Sequence, residues 1–399
     1  MYLTYPELGV ENFTGSEYTG LACSSCKSFY NKDSTHTFCQ KEGCGKPLLA
    51  YYNLPEGFDK NIFISREPNM WRYKEFLPVI NSSNIISLGE GFTPVSKLDN
   101  LSENLNTDQV FLKDESFNPT GSFKARGLSM AISKAKELGI EECVIPTAGN
   151  AGGAMAAYCA KAGIKATVYM PRNTPEVFKQ ECELYGATLI QVDGNISDCS
   201  KMVSKQINNW FDVSTLKEPF RIEGKKTLGY EIAEQFDWLL PDIILYPTGG
   251  GTGLIGIWKA FNEMEEMGWI GSKRPKMVAV QAEGCTPIVD AYKLQKDTAE
   301  FYHDAKTIAN GLCVPKPFGD TLILNAIKQS NGCAIAVSDN DIIAGVKEIA
   351  SKEGKLICPE GAACWAALKK LSAQNWISEN DKVLILNTGS GYKYLENLV

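Results

Sequence analysis

The sequence predicts an α/β protein preceded by a short cysteine-bearing segment, and three observations carry that prediction. From about Ser87 onward, short β-branched or apolar runs alternate with helix-period segments, a rhythm that implies βα units around mostly parallel sheets. The first fifty residues are instead rich in Cys, Gly, Ser and Lys and hold no long periodic stretch. The length, 399 residues, exceeds one compact core and suits two or three domains.

The strands predicted from apolar runs are Val110–Lys113, Glu142–Pro146, Ala166–Met170, Thr188–Val192, Ile243–Pro247, Met277–Gln281 and Lys382–Asn387. The helices predicted from 3.6-residue periodicity are Ala125–Leu138, Gly152–Ala162, Pro175–Tyr185, Thr227–Gln235, Gly253–Met267, Asp339–Glu353 and Gly361–Ser372. Neither an internal repeat nor a low-complexity tract interrupts them.

Apolar residues make up 44% and charged residues 22%, the mix of a soluble globular chain with a large core. With 40 basic and 47 acidic residues the net charge is −7, which argues against nucleic acid as a partner, because phosphate neutralisation needs a basic surface. The start, MYLTYPELGVENFTG, lacks the basic end and apolar core of a secretory signal, and no apolar run is long enough to span a bilayer. Nine of the thirteen cysteines, Cys159, Cys182 and Cys364 among them, fall in helix- or strand-like segments. There a reduced cysteine behaves as a small apolar residue, so a reducing, cytoplasmic setting without structural disulfides is expected.

The other four are Cys23, Cys26, Cys39 and Cys44, with twelve residues between the pairs. Two short cysteine loops supply the four soft, tetrahedral ligands that zinc takes, and Gly45 suits a knuckle turn. The wider second loop leaves plain thiols, or a ribbon without metal, as the alternative, and His36 is a substitute ligand. A closed four-sulfur site has no open position for substrate, so its role would be structural.

Asn118-Pro-Thr-Gly-Ser-Phe-Lys124 is a turn that opens a helix. Lys124 therefore sits near a helix N-terminus, whose positive end lowers an amine's pKa toward the neutral form that Schiff-base chemistry needs. Tyr246-Pro-Thr-Gly-Gly-Gly-Thr-Gly-Leu254 runs from an apolar strand into an apolar helix, an arrangement whose free backbone N–H groups hold phosphate. Gly251, Gly253 and Gly256 also satisfy a dinucleotide fingerprint, which makes a nicotinamide-dependent oxidoreductase a rival; the acidic residue that should follow, Glu283, stands 27 residues past Gly256, a poor spacing. Thr147-Ala-Gly-Asn-Ala-Gly-Gly153 repeats the strand–glycine–helix pattern and could hold a carboxylate, with Asn150 as a donor or merely a helix cap. After the last strand, Thr388 or Ser390 could turn a hydroxyl toward a ring nitrogen.

Together with Leu88-Gly-Glu-Gly-Phe-Thr-Pro94, Arg221-Ile-Glu-Gly-Lys-Lys-Thr227 and Asn387-Thr-Gly-Ser-Gly391, these segments resemble the fold-type II pyridoxal-phosphate family, and within it the threonine synthases, in family order over about 300 residues. The resemblance implies two doubly wound three-layer αβα domains: a large one from 53–140 and 226–399, and a small mobile one at 141–225, after a zinc-ribbon-like segment at 1–52. It implies pyridoxal 5'-phosphate as cofactor, joined to Lys124, which also acts as general base. Asn150 would meet the cofactor's ring hydroxyl; Gly249, Gly250, Gly251, Thr252 and Gly253 would cradle its phosphate; Thr388 would meet its ring nitrogen. Thr93, Ser122, Thr147 and Ala151 would hold the substrate carboxylate, and Arg221 and Lys225 a substrate phosphate. The implied reaction turns O-phosphohomoserine and water into threonine and phosphate, in a homodimer without nucleic-acid or membrane partners.

Three departures keep other reactions open. Ala125 stands where threonine synthases usually have Asp, Ser214-Thr-Leu-Lys-Glu-Pro219 lacks an expected Asn-Ser pair, and the Gly-Gly-Gly-Thr-Gly loop looks more like serine and threonine ammonia-lyases. The alternatives are a lyase acting on threonine, serine or diaminopropionate, or an O-phosphoserine-using synthase such as cysteate synthase. A non-catalytic zinc-ribbon module on an inactive body is a third class, against which the intact Lys124, Asn150 and Thr388 speak.

Overall fold

Three sheets organise the chain in the computed structural model, which describes residues 15–101, 105–205 and 210–398. Residues 1–14, expected to open the ribbon-like segment, lie outside the described residues. The first sheet is antiparallel, of order β2-β1-β3, from β1 (Tyr18–Cys23), β2 (Phe29–Tyr30) and β3 (Leu48–Tyr52). In β3 the side chains of Leu48, Ala50 and Tyr52 point inward, the two-residue alternation of a strand with one wet face.

The chain continues with β4 (Val95–Lys97), β5 (Val110–Asp114) and α1 (Lys124–Glu137). A parallel four-stranded sheet of order β8-β7-β6-β9 follows, built from β6 (Glu142–Pro146), α2 (Asn150–Ala162), β7 (Lys165–Pro171), α3 (Glu176–Leu184), β8 (Thr188–Val192), α4 (Ile196–Lys205) and β9 (Phe211–Asp212). Then come α5 (Arg221–Gln235), β10 (Ile243–Pro247), α6 (Thr252–Glu266), β11 (Lys276–Ala282), α7 (Pro287–Lys293), α8 (Asp320–Gln329), β12 (Cys333–Val337), α9 (Asp339–Glu353), α10 (Pro359–Ala373) and β13 (Val383–Asn387). They complete a six-stranded sheet of order β12-β11-β10-β13-β5-β4, parallel except for the edge strand β4.

Both parallel sheets carry helices on two faces, the expected three-layer α/β architecture. In the six-stranded sheet, Ile244, Tyr246, Leu384 and Leu386 pack with α5, α6 and α8, while Ile243, Leu245, Val383 and Ile385 pack with α9 and α10. In the four-stranded sheet, Cys143 and Ile145 face α2 and α3, and Val144 and Tyr169 face α4. Strands covered on both sides read as unbroken apolar runs, which is why β10 and β13 were legible in the sequence. Helix ends follow local chemistry: the Ser338 hydroxyl caps α9 by accepting the Asp341 N–H, and Pro359 opens α10 where a missing N–H costs nothing. Among the described residues no helix is long and apolar enough to cross a membrane.

Helix α5 begins at Arg221, six residues before the predicted start. Its first turns, Arg221-Ile-Glu-Gly-Lys-Lys226, are too polar to show an apolar face, yet every one is buried. Ion pairs from Lys226 to Glu223 and Glu263, each 2.9 Å, and from Lys259 to Glu223 make that burial tolerable.

A second buried cluster fixes the start of α1. The Arg126 guanidinium donates from Nε to Glu115 Oε2 at 2.6 Å and from Nη1 to Glu231 Oε2 at 2.6 Å, while Nη2 reaches the other oxygen of each at 2.7 and 2.9 Å. Lys113 pairs with Glu231 and donates to the Thr93 carbonyl at 2.6 Å. All four charged side chains are fully buried. Burial alone would raise the Glu231 carboxyl, but Arg126 and Lys113 outweigh it and hold it below the usual carboxylate range. Two cations and two anions balance, so losing one leaves a bare charge in the interior. Arg126→Ala should therefore destabilise the protein by about 3–5 kcal/mol, read as a lower urea midpoint with an unchanged slope.

Candidate active site

The C-terminal ends of β6 and β10, the loop after β13 and the start of α1 meet at a cavity of about 370 Å3. This is where ligands enter open parallel sheets. The end of β13 is pinned by Asn387, which donates to Asp114 of β5 at 2.7 Å and accepts the Cys358 N–H at 3.2 Å.

Lys124, the first residue of α1, lines the cavity with its amine over the Phe123 ring, 4.1 Å from the centroid, and makes no hydrogen bond or ion pair to any described residue. Burial first, then the Arg221 charge, pull this amine from the ordinary 10.5 down to about 8, against the opposing pull of Glu360 and Cys358. Desolvation leads this shift.

The glycine loop after β10 supplies the cavity with Gly249, Gly250, Gly251 and Thr252. Gly251, at φ +69°, precedes α6 with no side-chain cap, and the N–H groups of Gly249, Gly250 and Gly251 find no acceptor among the described residues. Orphan backbone donors at a helix N-terminus fit a phosphate. Gly253 lies behind the lining, where a Cβ would stand 1.9 Å from the Tyr246 hydroxyl. On the other wall, Thr147, Asn150 and Ala151 open α2, and the Asn150 amide oxygen is buried without a partner. Thr388 also lines the cavity, its hydroxyl 3.8 Å from Cys358 Sγ.

Arg221 lines the cavity as well; it donates to the Val213 carbonyl at 2.6 Å and leaves its buried Nε unpartnered. Ser214, Thr215 and Lys217 line the same side. Burial pushes the neighbouring Glu218 carboxyl up to about 7, and that carboxyl caps α5 by accepting the N–H groups of Phe220 and Arg221.

Three expected substrate contacts fall elsewhere. Lys225 stands behind the wall, donating to Thr252 Oγ1 at 2.5 Å, so it supports the glycine loop. Thr93 gives its hydroxyl to Glu115 and its N–H to Glu231, as part of the ion cluster. Ser122 is buried beside Gly389, off the lining. Sequence reasoning missed Tyr246, Cys358, Glu360, Tyr394 and the loop from Asn310 to Phe318. Cys358-Pro-Glu-Gly361 reads as an ordinary helix start, and the 310–318 loop has no strand–glycine–helix pattern to mark it.

Apart from this cavity, the sulfur atoms of Cys23, Cys26, Cys39 and Cys44 all lie within 4.8 Å of one another, which fits a four-sulfur metal site. His36 turns away, its Nε2 against the Asn31 carbonyl.

The family described as pyridoxal-phosphate dependent enzyme matches residues 86–389. The chain belongs to that family. It is 36% identical to the threonine synthase of Methanocaldococcus jannaschii over 374 residues, 93% of this chain and 92% of that one. It is 33% identical to the threonine synthase of Methanosarcina acetivorans over 373 residues, 92% and 91% of the two chains. These relatives place it with the threonine synthases. The fold is shared with diaminopropionate ammonia lyase from Escherichia coli (TM-score 0.65, 20% identity, 78% and 87% of the two chains) and with maize serine racemase (TM-score 0.64, 25% identity, 76% and 93%).

The residues present fit pyridoxal phosphate: a depressed lysine amine, uncapped loop N–H groups and an unpartnered Asn150 oxygen surround one cavity. Only the neutral amine attacks an aldehyde, so cofactor uptake by the apoprotein should speed up with rising pH around a midpoint near 8. Stopped-flow absorbance would measure it, and Arg221→Ala should move that midpoint upward, because Arg221 helps suppress the ammonium. For the cysteine cluster, metal analysis should find one zinc per chain, and Cys39→Ser should lose it while cofactor binding persists.

Proposed function

We propose that this chain is a threonine synthase that converts O-phosphohomoserine and water to threonine and inorganic phosphate, working on pyridoxal phosphate in the cytoplasm. The observation that carries this reading is a second anion site. The uncapped glycine loop serves one phosphate, and Arg221, with an unpartnered Nε and the neighbouring Thr215 and Lys217, offers donors for another, while the Ser214 hydroxyl is spent on Asp212. A plain serine or threonine substrate would leave that second group of donors idle. The Thr215 hydroxyl answers part of the missing Asn-Ser pair noted in the sequence.

When bound, pyridoxal phosphate supplies an electron sink for carbanions next to the substrate amine. Lys124 offers the neutral amine that carries the cofactor and then takes and returns protons at substrate carbons. Gly249, Gly250, Gly251 and Thr252 hold the cofactor phosphate, steadied by Lys225 behind Thr252. Thr388 would meet the ring nitrogen with a hydroxyl and so give no full charge to the ring. Thr147 and Ala151, at the N-terminus of α2, hold the substrate carboxylate. Arg221 holds the leaving phosphate by charge-assisted hydrogen bonds.

The walls come from different sheets: Thr147–Ala151 and Ile196 to Ser200 belong with the four-stranded sheet, the glycine loop and Thr388 with the six-stranded one. We place the mobile unit at 141–225, closing on substrate and excluding water, and take the assembly to be a homodimer.

Incubation with O-phosphohomoserine should release phosphate and threonine in equal amounts, while threonine and serine yield no 2-oxoacid. Oxobutyrate from threonine would instead make the chain an ammonia-lyase. Arg221→Ala should raise KM for O-phosphohomoserine about 10- to 100-fold, the worth of a hydrogen bond to a charged group.

A further inference from the structure

The cysteine ribbon reaches the Arg221 side of the cavity from two directions. From behind, the Tyr52 hydroxyl at the end of β3 donates to Glu223 Oε2 at 2.8 Å, two residues after Arg221 in the first turn of α5. From the front, the Phe38 ring meets the Phe318 ring edge to face, with centroids 6.4 Å apart and planes at 77°. Phe318 lines the cavity, and Phe38 stands outside it. Phe38 immediately precedes Cys39 of the four-sulfur cluster, and its backbone is tied down by a bridge to Pro47 and by Gln40 Nε2 donating to its carbonyl at 2.9 Å. The two rings keep 37% and 36% of their surface exposed, so they close no core. What such a pair fixes is the position of one loop against another.

The loop that carries Phe318 presses on the donors of the second anion site. Gly319 follows Phe318, and a Cβ there would stand 2.6 Å from Leu216 Cδ1, so the buried Leu216 packs directly on that backbone. Leu216 itself sits at φ +60°, a left-handed conformation that is costly for a bulky side chain and persists only where its surroundings hold it. On either side of it are Thr215 and Lys217, which line the cavity with Arg221. Thr215 Oγ1 lies 3.5 Å from Arg221 Nη1. Any shift of the 314–319 loop therefore relaxes Leu216 and moves the donors beside it.

We propose that the N-terminal ribbon positions the second anion site from outside the cavity, with Phe38 holding the 314–319 loop against Leu216 so that Thr215 and Lys217 stay gathered beside Arg221. The proposal rests on the reading of those three residues as the site of the substrate phosphate. Phe38 touches no ligand and is a positioning residue that acts through Phe318. A contact can bias a loop by no more than its own strength, so the effect is the size of one aromatic pair.

The test is calorimetric titration of the holoenzyme with inorganic phosphate, which reads the second site because the cofactor's own phosphate occupies the glycine loop. Phe38→Ala trims a half-exposed ring and should leave the cofactor absorbance as it is. It should weaken phosphate binding about fivefold, the weight of one aromatic pair, and raise KM for O-phosphohomoserine by more than it lowers kcat. In a Phe318→Ala background, Phe38→Ala should cost nothing further, because the two rings act as one contact. If Arg221→Ala weakens phosphate while Phe38→Ala binds it with wild-type affinity, the positioning role is refuted and the anion site stands. An undiminished loss from Phe38→Ala in the absence of the Phe318 ring would refute it as well. If Arg221→Ala leaves phosphate binding unchanged, the anion site fails and the proposal with it.

Discussion

The start of α1 has to be held still, and the Arg126 cluster holds it. Arg126 lies two residues after Lys124, so the guanidinium that bridges Glu115 and Glu231 fixes the lysine backbone against β5 and α5 together. The same cluster consumes Thr93 and places Glu115, one residue beyond β5, beside the Asn118 turn through an Nδ2 bond of 3.0 Å. A single uncompensated charge there would be worse than an apolar core, which makes the geometry nearly all-or-none. The reactive amine can hang free over Phe123 because its helix is clamped two residues further in.

That clamp explains how a lysine with no partner stays where it is useful. Its neighbours act as electrostatic opposites: Arg221 lowers its basicity, Glu360 raises it, and desolvation decides the balance. The two proposed anion sites line the same cavity as this amine, one made of peptide N–H groups and one of side chains. Peptide donors bring only partial charge, and the lysine behind them, Lys225, is held well below its usual basicity by burial and by Arg221 and Lys124.

Much of this was legible in the sequence because the backbone motifs repeat a local pattern. Strand, glycines and helix start mark the loops at 147–153 and 249–253, and both reach the cavity. The buried strands β10 and β13 announced themselves as apolar runs. What escaped depends on contacts between distant segments. The start of α5 was hidden because its buried face is polar and satisfied by Lys259 and Glu263, dozens of residues on. Strand β12 (Cys333–Val337), with Cys and two alanines in five positions, is too weakly apolar to stand out. Thr93, Ser122 and Lys225 sit in motifs that match the family, yet their side chains turn to the protein interior, and no one-dimensional pattern records which way a side chain points.

The charge arrangement also links binding to proton transfer. While the Arg221 site is vacant, its positive charge helps keep the Lys124 amine neutral, which favours attack on an aldehyde. On the proposed reading, an anion seated on Arg221 would cancel that field, so the amine would regain basicity with a phosphorylated substrate in place and would hold a proton taken from carbon more firmly. Once phosphate left the pocket the field would return and the lysine would release its proton more readily. A neutral substrate would leave Arg221 uncancelled and the lysine a weaker base throughout. Selectivity for a phosphorylated substrate in such a site need not come from fit alone, because the substrate's own charge tunes the group that moves its protons.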